Sequence, residues 1–248
     1  MKPILIEIGG LSIYAFGFFM ATAYLLGMAW TMREAGRKGL DRGLVLEFGF
    51  YVLLAGLAGS RLFYFLLYPR DFEGSFTRLL HFWDGGLVLI GGGIAGAAAL
   101  LLYLTLKKQD ISAWLDAVAP GTALGLIVGW VGCLFAGCGY GRPGDVPWAV
   151  TFTHPDSLGP LFVSLHPAQV YHALAALMIF ILLLAVQGVF KSKGQLAGLF
   201  LILYAVTTIA VDFFRYDYQS IIWVFSPVQA VCLVLLCVGS SLLLRTKK

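Results

Sequence analysis

Seven long apolar blocks dominate this chain, near residues 11–30, 48–68, 86–106, 113–138, 168–190, 196–214 and 221–244. A hydrocarbon core about 30 Å thick takes roughly 20 mainly apolar residues per helix, and each block supplies about that many. Hydrophobic residues make up 60% of the sequence and charged ones 12%, which excludes an ordinary soluble domain. Alternating polar and apolar segments, the mark of a transmembrane barrel, are not read in it. The expected fold is therefore an all-α polytopic membrane protein. Residues 1–248 read as a single seven-helix domain, with no long linker, low-complexity stretch or convincing internal repeat.

The basic residues give an orientation. Arg33, Arg37, Lys38 and Arg42 follow the first block, Lys107 and Lys108 the third, Lys191 and Lys193 the fifth, and Arg245, Lys247 and Lys248 end the chain. Threaded through seven spans, these 11 of the 17 Lys and Arg residues share one side. Lys2, Arg70, Arg78, Arg142 and Arg215 fall on the other, and Arg61 lies within the second block. The N-terminus reads as outside and the C-terminus as inside. The net charge of +4 is then mostly topology, so no nucleic-acid partner is expected. One lysine and no small-residue cleavage site precede the first block, so no cleaved signal peptide is expected.

The unusual polar content gathers in the outward-facing segments 69–86, 139–167 and 214–221. Asp84 stands directly before Gly85 and Gly86; the longest segment holds His154 and His166; Asp212 and Arg215 mark the end of the sixth block, where the third begins. Arg61 is costly in a membrane, by about 2.5–3.5 kcal/mol on insertion scales. It follows the small-residue stretch AGLAGS and reads either as snorkelling to the outer surface or as an anion-binding residue in a cavity. Gly91, Gly92 and Gly93 in a row allow a local helix break or a close ligand approach. HPAQVYH, residues 166–172, reads as a helix start with Pro167 in the first helical position, and Gln169 and His172 on one face. Such a start offers N–H groups to a phosphate.

The cysteines form two C-x₄-C pairs, Cys133 with Cys138 and Cys232 with Cys237. A four-thiolate metal site fails on depth, because Cys232 lies roughly 16 Å down its own helix at 1.5 Å per residue. Cys232 and Cys237 read as small apolar core residues. Cys133 and Cys138 keep three readings: a disulfide formed across a glycine break, a thiol nucleophile activated by His172 or His166, or packing residues beside a site made of other groups. No metal or cofactor is expected.

Taken in order, these segments resemble the prolipoprotein diacylglyceryl transferases of bacterial inner membranes. Tyr14 sits where that family has a functional tyrosine, and AGSRLFY around Arg61 looks like its glycine-arginine segment. FWDGGLVLIGGGIAG (82–96), GWVGCLFAGCGYGR (129–142), HPAQVY (166–171) and VDFFR (211–215) resemble further family segments. The resemblance implies an enzyme that takes phosphatidylglycerol from the outer leaflet and transfers its diacylglyceryl group to a lipoprotein signal-peptide cysteine, releasing glycerol phosphate. It implies a headgroup site of Tyr14, Arg61, Asp84, Gly85, Gly86, Gly137, Tyr140, Gly141, Arg142, Gln169, Tyr171, Asp212 and Arg215. The chain departs from the family pattern at Trp130 and Cys133, which stand for an arginine and an asparagine, and at Cys138 and His172, which stand for glutamates. Ile90 replaces a histidine and Thr208 an arginine. Cys138, Cys133, His172 and His166 are thus expected at an altered chemical centre. The alternatives are a degenerate lipid-binding protein on the same scaffold and a thiol–disulfide membrane protein.

Overall fold

The computed structural model describes residues 2–9, 11–72, 76–80, 86–216 and 227–244. Among them are seven α-helices: α1 (Ala15–Arg37), α2 (Gly43–Leu67), α3 (Leu89–Leu106), α4 (Ile111–Ala136), α5 (Ala168–Val186), α6 (Gln195–Asp212) and α7 (Pro227–Leu243). Strands β1 (Ile4–Ile8) and β2 (Leu11–Tyr14) precede α1, and the two-residue strands β3 (Val150–Thr151) and β4 (Ser164–Leu165) lie between α4 and α5. Six helices are long and apolar enough to cross a membrane, and α7 is a shorter apolar helix. The chain is a polytopic helical membrane protein. It divides into two compact units, Met1–Glu34 with Leu115–Lys248, and Ala35–Trp114.

The first block begins differently from the sequence reading. Residues 11–14 are not the top of a span but strand β2, paired antiparallel with β1 through Glu7↔Ser12 and Ile8↔Leu11. ILIEI and LSIY alternate about a Gly-Gly pair, so a period-2 segment is present after all. Tyr14 ends this hairpin opposite Ile4 and is exposed, ahead of the first helix rather than within it.

In the unit Ala35–Trp114, α2 and α3 pack backbone to backbone. A Cβ on Gly91 would stand 2.5 Å from Gly59 O, and one on Gly92 3.0 Å from Gly56 O. The glycines serve helix approach, and α3 runs unbroken from Leu89 to Leu106 through all three. The helix break that the glycine run allowed does not occur. Gly93 faces open space, with nothing within 4 Å of an added Cβ.

In the other unit the same device joins α1 to α4, where a Cβ on Gly121 would meet Gly27 O at 2.5 Å, and α6 to α7 at Gly198 and Gly239. Its core holds Ala119, Ala123, Ile179, Leu183, Leu196, Ala197 and Phe200. One charge is buried beside it for a structural reason. Asp116 on α4 accepts the N–H groups of Gly194 at 2.7 Å and Ala197 at 2.8 Å. A carboxylate thereby covers the donor-rich start of α6. Cys232 is buried, as read from sequence, whereas Cys237 is exposed on α7 and is not a core residue.

Candidate functional site

The site grows from the end of α4. Gly137 has φ +84°, and the N–H groups of Gly137 and Cys138 both donate to Cys133 O, at 2.8 and 3.1 Å. This left-handed glycine closes the helix in the manner of a Schellman cap. Leu158 N–H satisfies Ala136 O at 2.9 Å, and a Cβ on Gly137 would lie 2.3 Å from Ser157 Oγ. The Cys138 thiol adds a weak donor to Cys133 O at 3.8 Å. All four cysteines carry thiols in this structure.

Beyond the cap, residues 140–144 run between two other segments. On one side Gly141 N–H donates to His166 O (3.0 Å), His166 N–H to Arg142 O (2.9 Å) and Gly144 N–H to Ser164 O (3.1 Å). On the other, Arg142 N–H donates to Phe214 O at 2.7 Å, and Gly141 bridges Arg215 in antiparallel fashion. β3 then pairs with β4, as Val150↔Leu165. Three segments far apart in sequence become one ribbon. Gly141 is its pinch point, because a Cβ there would stand 2.5 Å from His166 O and 2.8 Å from Phe214 O.

Polar side chains gather on and around the ribbon. Arg142 is exposed, with Nε 3.5 Å from Arg215 O. Arg215 is half-buried, and its guanidinium carbon lies 5.7 Å from the centre of the Trp130 ring. Asp212 is buried one turn before it and accepts Arg215 N–H on its carbonyl at 3.1 Å. His166 Nδ1 lies 3.1 Å from Tyr171 Oη, which also accepts the Trp148 indole N–H at 2.7 Å. Phe214 packs against both rings, with centroids 5.7 Å from each. Gln169 is fully buried and donates to Cys138 O at 2.8 Å, tying α5 to the residue after the cap.

The start of α5 differs in one detail from the sequence reading. Pro167 is the cap and the helix begins at Ala168. Ala168 N–H donates to His166 O, and Val170 and Tyr171 N–H to Pro167 O. Those three donors are thus already engaged, so α5 offers an anion less than a bare helix start would.

His172 lies deeper. Its ring stacks on Trp130 with centroids 4.0 Å apart and planes 8° from parallel, and it is only 4% exposed. Trp130 in turn packs under Gly139, whose added Cβ would be 2.9 Å from the indole. His166 and His172, alternative activators of a thiol in the sequence reading, occupy different settings: one in the ribbon, the other behind an indole.

In the unit Ala35–Trp114, Arg61 is 5% exposed and its guanidinium donates to three backbone carbonyls: Arg78 O (2.6 Å), Gly86 O (3.1 Å) and Leu79 O (3.4 Å). Phe72 flanks it at 5.1 Å and Tyr64 at 5.8 Å. These bonds tie Arg78, Leu79 and Gly86 to α2 through one guanidinium. Asp84 and Gly85 lie outside the described residues.

With that geometry in place, comparison with known proteins decides the lineage. The sequence model of the prolipoprotein diacylglyceryl transferases matches residues 3–245. The chain belongs to the prolipoprotein diacylglyceryl transferase family. A phosphatidylglycerol–prolipoprotein diacylglyceryl transferase of Clostridium tetani is 28% identical over 96% of this chain and 95% of its own length. A second, from Clostridium perfringens, is 26% identical over 100% of this chain and 96% of its own length. One from Aeromonas salmonicida is 34% identical over 87% of this chain and 78% of its own length.

Three of the positions that the sequence analysis read as departures, Trp130, His172 and Thr208, line one small cavity between α4, α5 and α6. Sequence reasoning missed Trp148 and Phe214, the aromatic partners of Tyr171 and His166. The signal for both was aromatic residues clustered in segments read as facing the membrane surface.

Proposed function

We propose that this chain is a phospholipid-dependent transferase that moves the diacylglyceryl group of phosphatidylglycerol to the thiol of a lipoprotein signal-peptide cysteine. In that reaction the acceptor sulfur attacks the glycerol carbon that bears the phosphate. The C–O bond breaks, glycerol phosphate leaves with the electron pair, and the thiol proton passes to a base.

The observation that carries this reading is the ribbon 140–144/164–166/214–216. It sets Arg142 Nε 3.5 Å from the Arg215 carbonyl, so two arginine side chains spring from one ribbon and supply positive charge to it. A phosphate diester answers that charge, and Arg is suited to it by its fork of donors. His166, half-buried and held by Tyr171, is the base best placed on the ribbon. Cys138 acts as a capping residue and Arg61 as the clamp of loop 69–86. The part left to His172 is support of Trp130 from behind.

The same reading takes all of 1–248 as one seven-span domain with the N-terminus outside. Segments 69–86, 139–167 and 214–221 would face the outer leaflet of a bacterial inner membrane, where both lipid and signal peptide are reached. Purified protein incubated with headgroup-labelled phosphatidylglycerol and a lipoprotein signal peptide should release labelled glycerol phosphate and increase the peptide mass by one diacylglyceryl group. Lipid binding without transfer would overturn the enzymatic reading and leave the lipid-binding alternative.

A further inference from the structure

Behind the ribbon, α4, α5 and α6 line a small cavity of about 10 Å³, with Leu126, Trp130, His172, Tyr204, Thr207 and Thr208 among its walls. That volume is at the lower limit for one water molecule. His172 lines it, and its Nε2 is buried with no hydrogen-bond partner among the described residues. A ring nitrogen sealed in a bundle without a partner is unfavourable, whereas a bridging water restores most of what a direct bond would give. The hydroxyls are suited to such a bridge. Thr207 Oγ1 directs its proton to Leu203 O at 2.8 Å, which leaves its oxygen able to accept. Thr208 and Tyr204 bring two further hydroxyls to the lining.

We propose that this cavity is a binding site for one water, held by His172 Nε2 and a hydroxyl of the Tyr204–Thr207–Thr208 cluster. The occupant has to be neutral and water-sized. No carboxylate lines the space to hold a cation, and its remaining walls are the apolar Leu126, Ala175, Ala176 and Ile179. The water fixes the rotation of the imidazole, and the imidazole presents its face to Trp130, which lies under Gly139 and beside Arg215. A hydrated network thus supports the ribbon from inside the bundle. This inference does not depend on the transferase reading.

The test is the full-length protein, with histidine labelled in nitrogen-15, examined by NMR and by a structure at a resolution that shows ordered solvent. The expected result is a cross-peak between His172 and water, and one solvent oxygen within hydrogen-bonding distance of Nε2. His172→Phe keeps a ring on Trp130 but removes the nitrogen, and the solvent oxygen should vanish. A direct bond from Nε2 to a protein oxygen, or the lack of any cross-peak and solvent feature in the unaltered protein, would overturn the proposal. So would a solvent oxygen that persists in His172→Phe. If that variant does not fold, the measurements on the unaltered protein still decide.

Discussion

Replacing Gly141 with alanine puts the ribbon under direct strain. The new Cβ would stand 2.5 Å from His166 O and 2.8 Å from Phe214 O, against about 3.4 Å for ordinary contact. The flanking segments would have to retreat by roughly 0.9 and 0.6 Å, and in a packed setting such displacement costs about 1–3 kcal/mol. The Gly141 N–H to His166 O bond, now 3.0 Å, would lengthen to about 3.9 Å, beyond hydrogen-bonding range. The neighbouring Arg142 N–H to Phe214 O bond stretches with it. With about 1 kcal/mol for the lost bond, the total comes to about 2–4 kcal/mol. For a chain of this size that lowers the melting temperature by about 5–15 °C. Arg142, Arg215 and His166 lose their common frame, and transfer from labelled phosphatidylglycerol should fall at least about tenfold, since 1.4 kcal/mol in the transition state is a factor of ten. Unaltered melting together with full transfer would refute the claim that this ribbon frames the site.

Four further outcomes follow from other parts of the structure. Arg61→Lys places one ammonium where a fork reached three carbonyls; with two charged bonds lost, about 3 kcal/mol of local stability goes, and protease nicking of segment 69–86 should quicken. Asp116→Asn keeps one acceptor of two facing Gly194 and Ala197 and should cost about 1.5–3 kcal/mol, read as a lower melting temperature. Gly93→Ala should melt as the parent does, whereas Gly91→Ala, 2.5 Å from Gly59 O, should be strongly destabilised. Cys133→Ala with Cys138→Ala should retain transfer, with no lipid adduct on either thiol of the parent by intact-mass analysis; loss of transfer at normal melting would restore the nucleophile reading.

Why the arginines divide as they do shows how far sequence reasoning reaches. The cost of burying a guanidinium marked Arg61 as exceptional, and it is. Burial cost does not say what the donors meet, and here they meet Arg78, Leu79 and Gly86 carbonyls. The cysteine spacing left three readings open because spacing cannot say how a helix ends. A positive φ at Gly137 directs the Cys138 thiol onto a carbonyl of its own helix.

The seven helices, the membrane class and the polar segments around His166 and Arg215 were legible in the order of residues. Apolar length and glycine-proline punctuation act locally, and local rules can be read along a chain. The sequence also carried a short alternating hairpin before α1, which a reading tuned to 20-residue blocks passed over. What the tertiary structure alone decided was adjacency. Residues 141–142, 166 and 214 meet through backbone hydrogen bonds that no side chain advertises. Trp130 and His172, 42 positions apart by their numbers, meet face to face because α4 and α5 turn those faces inward together. Close backbone approach and ring stacking depend on distance in space, and only the folded chain sets that distance.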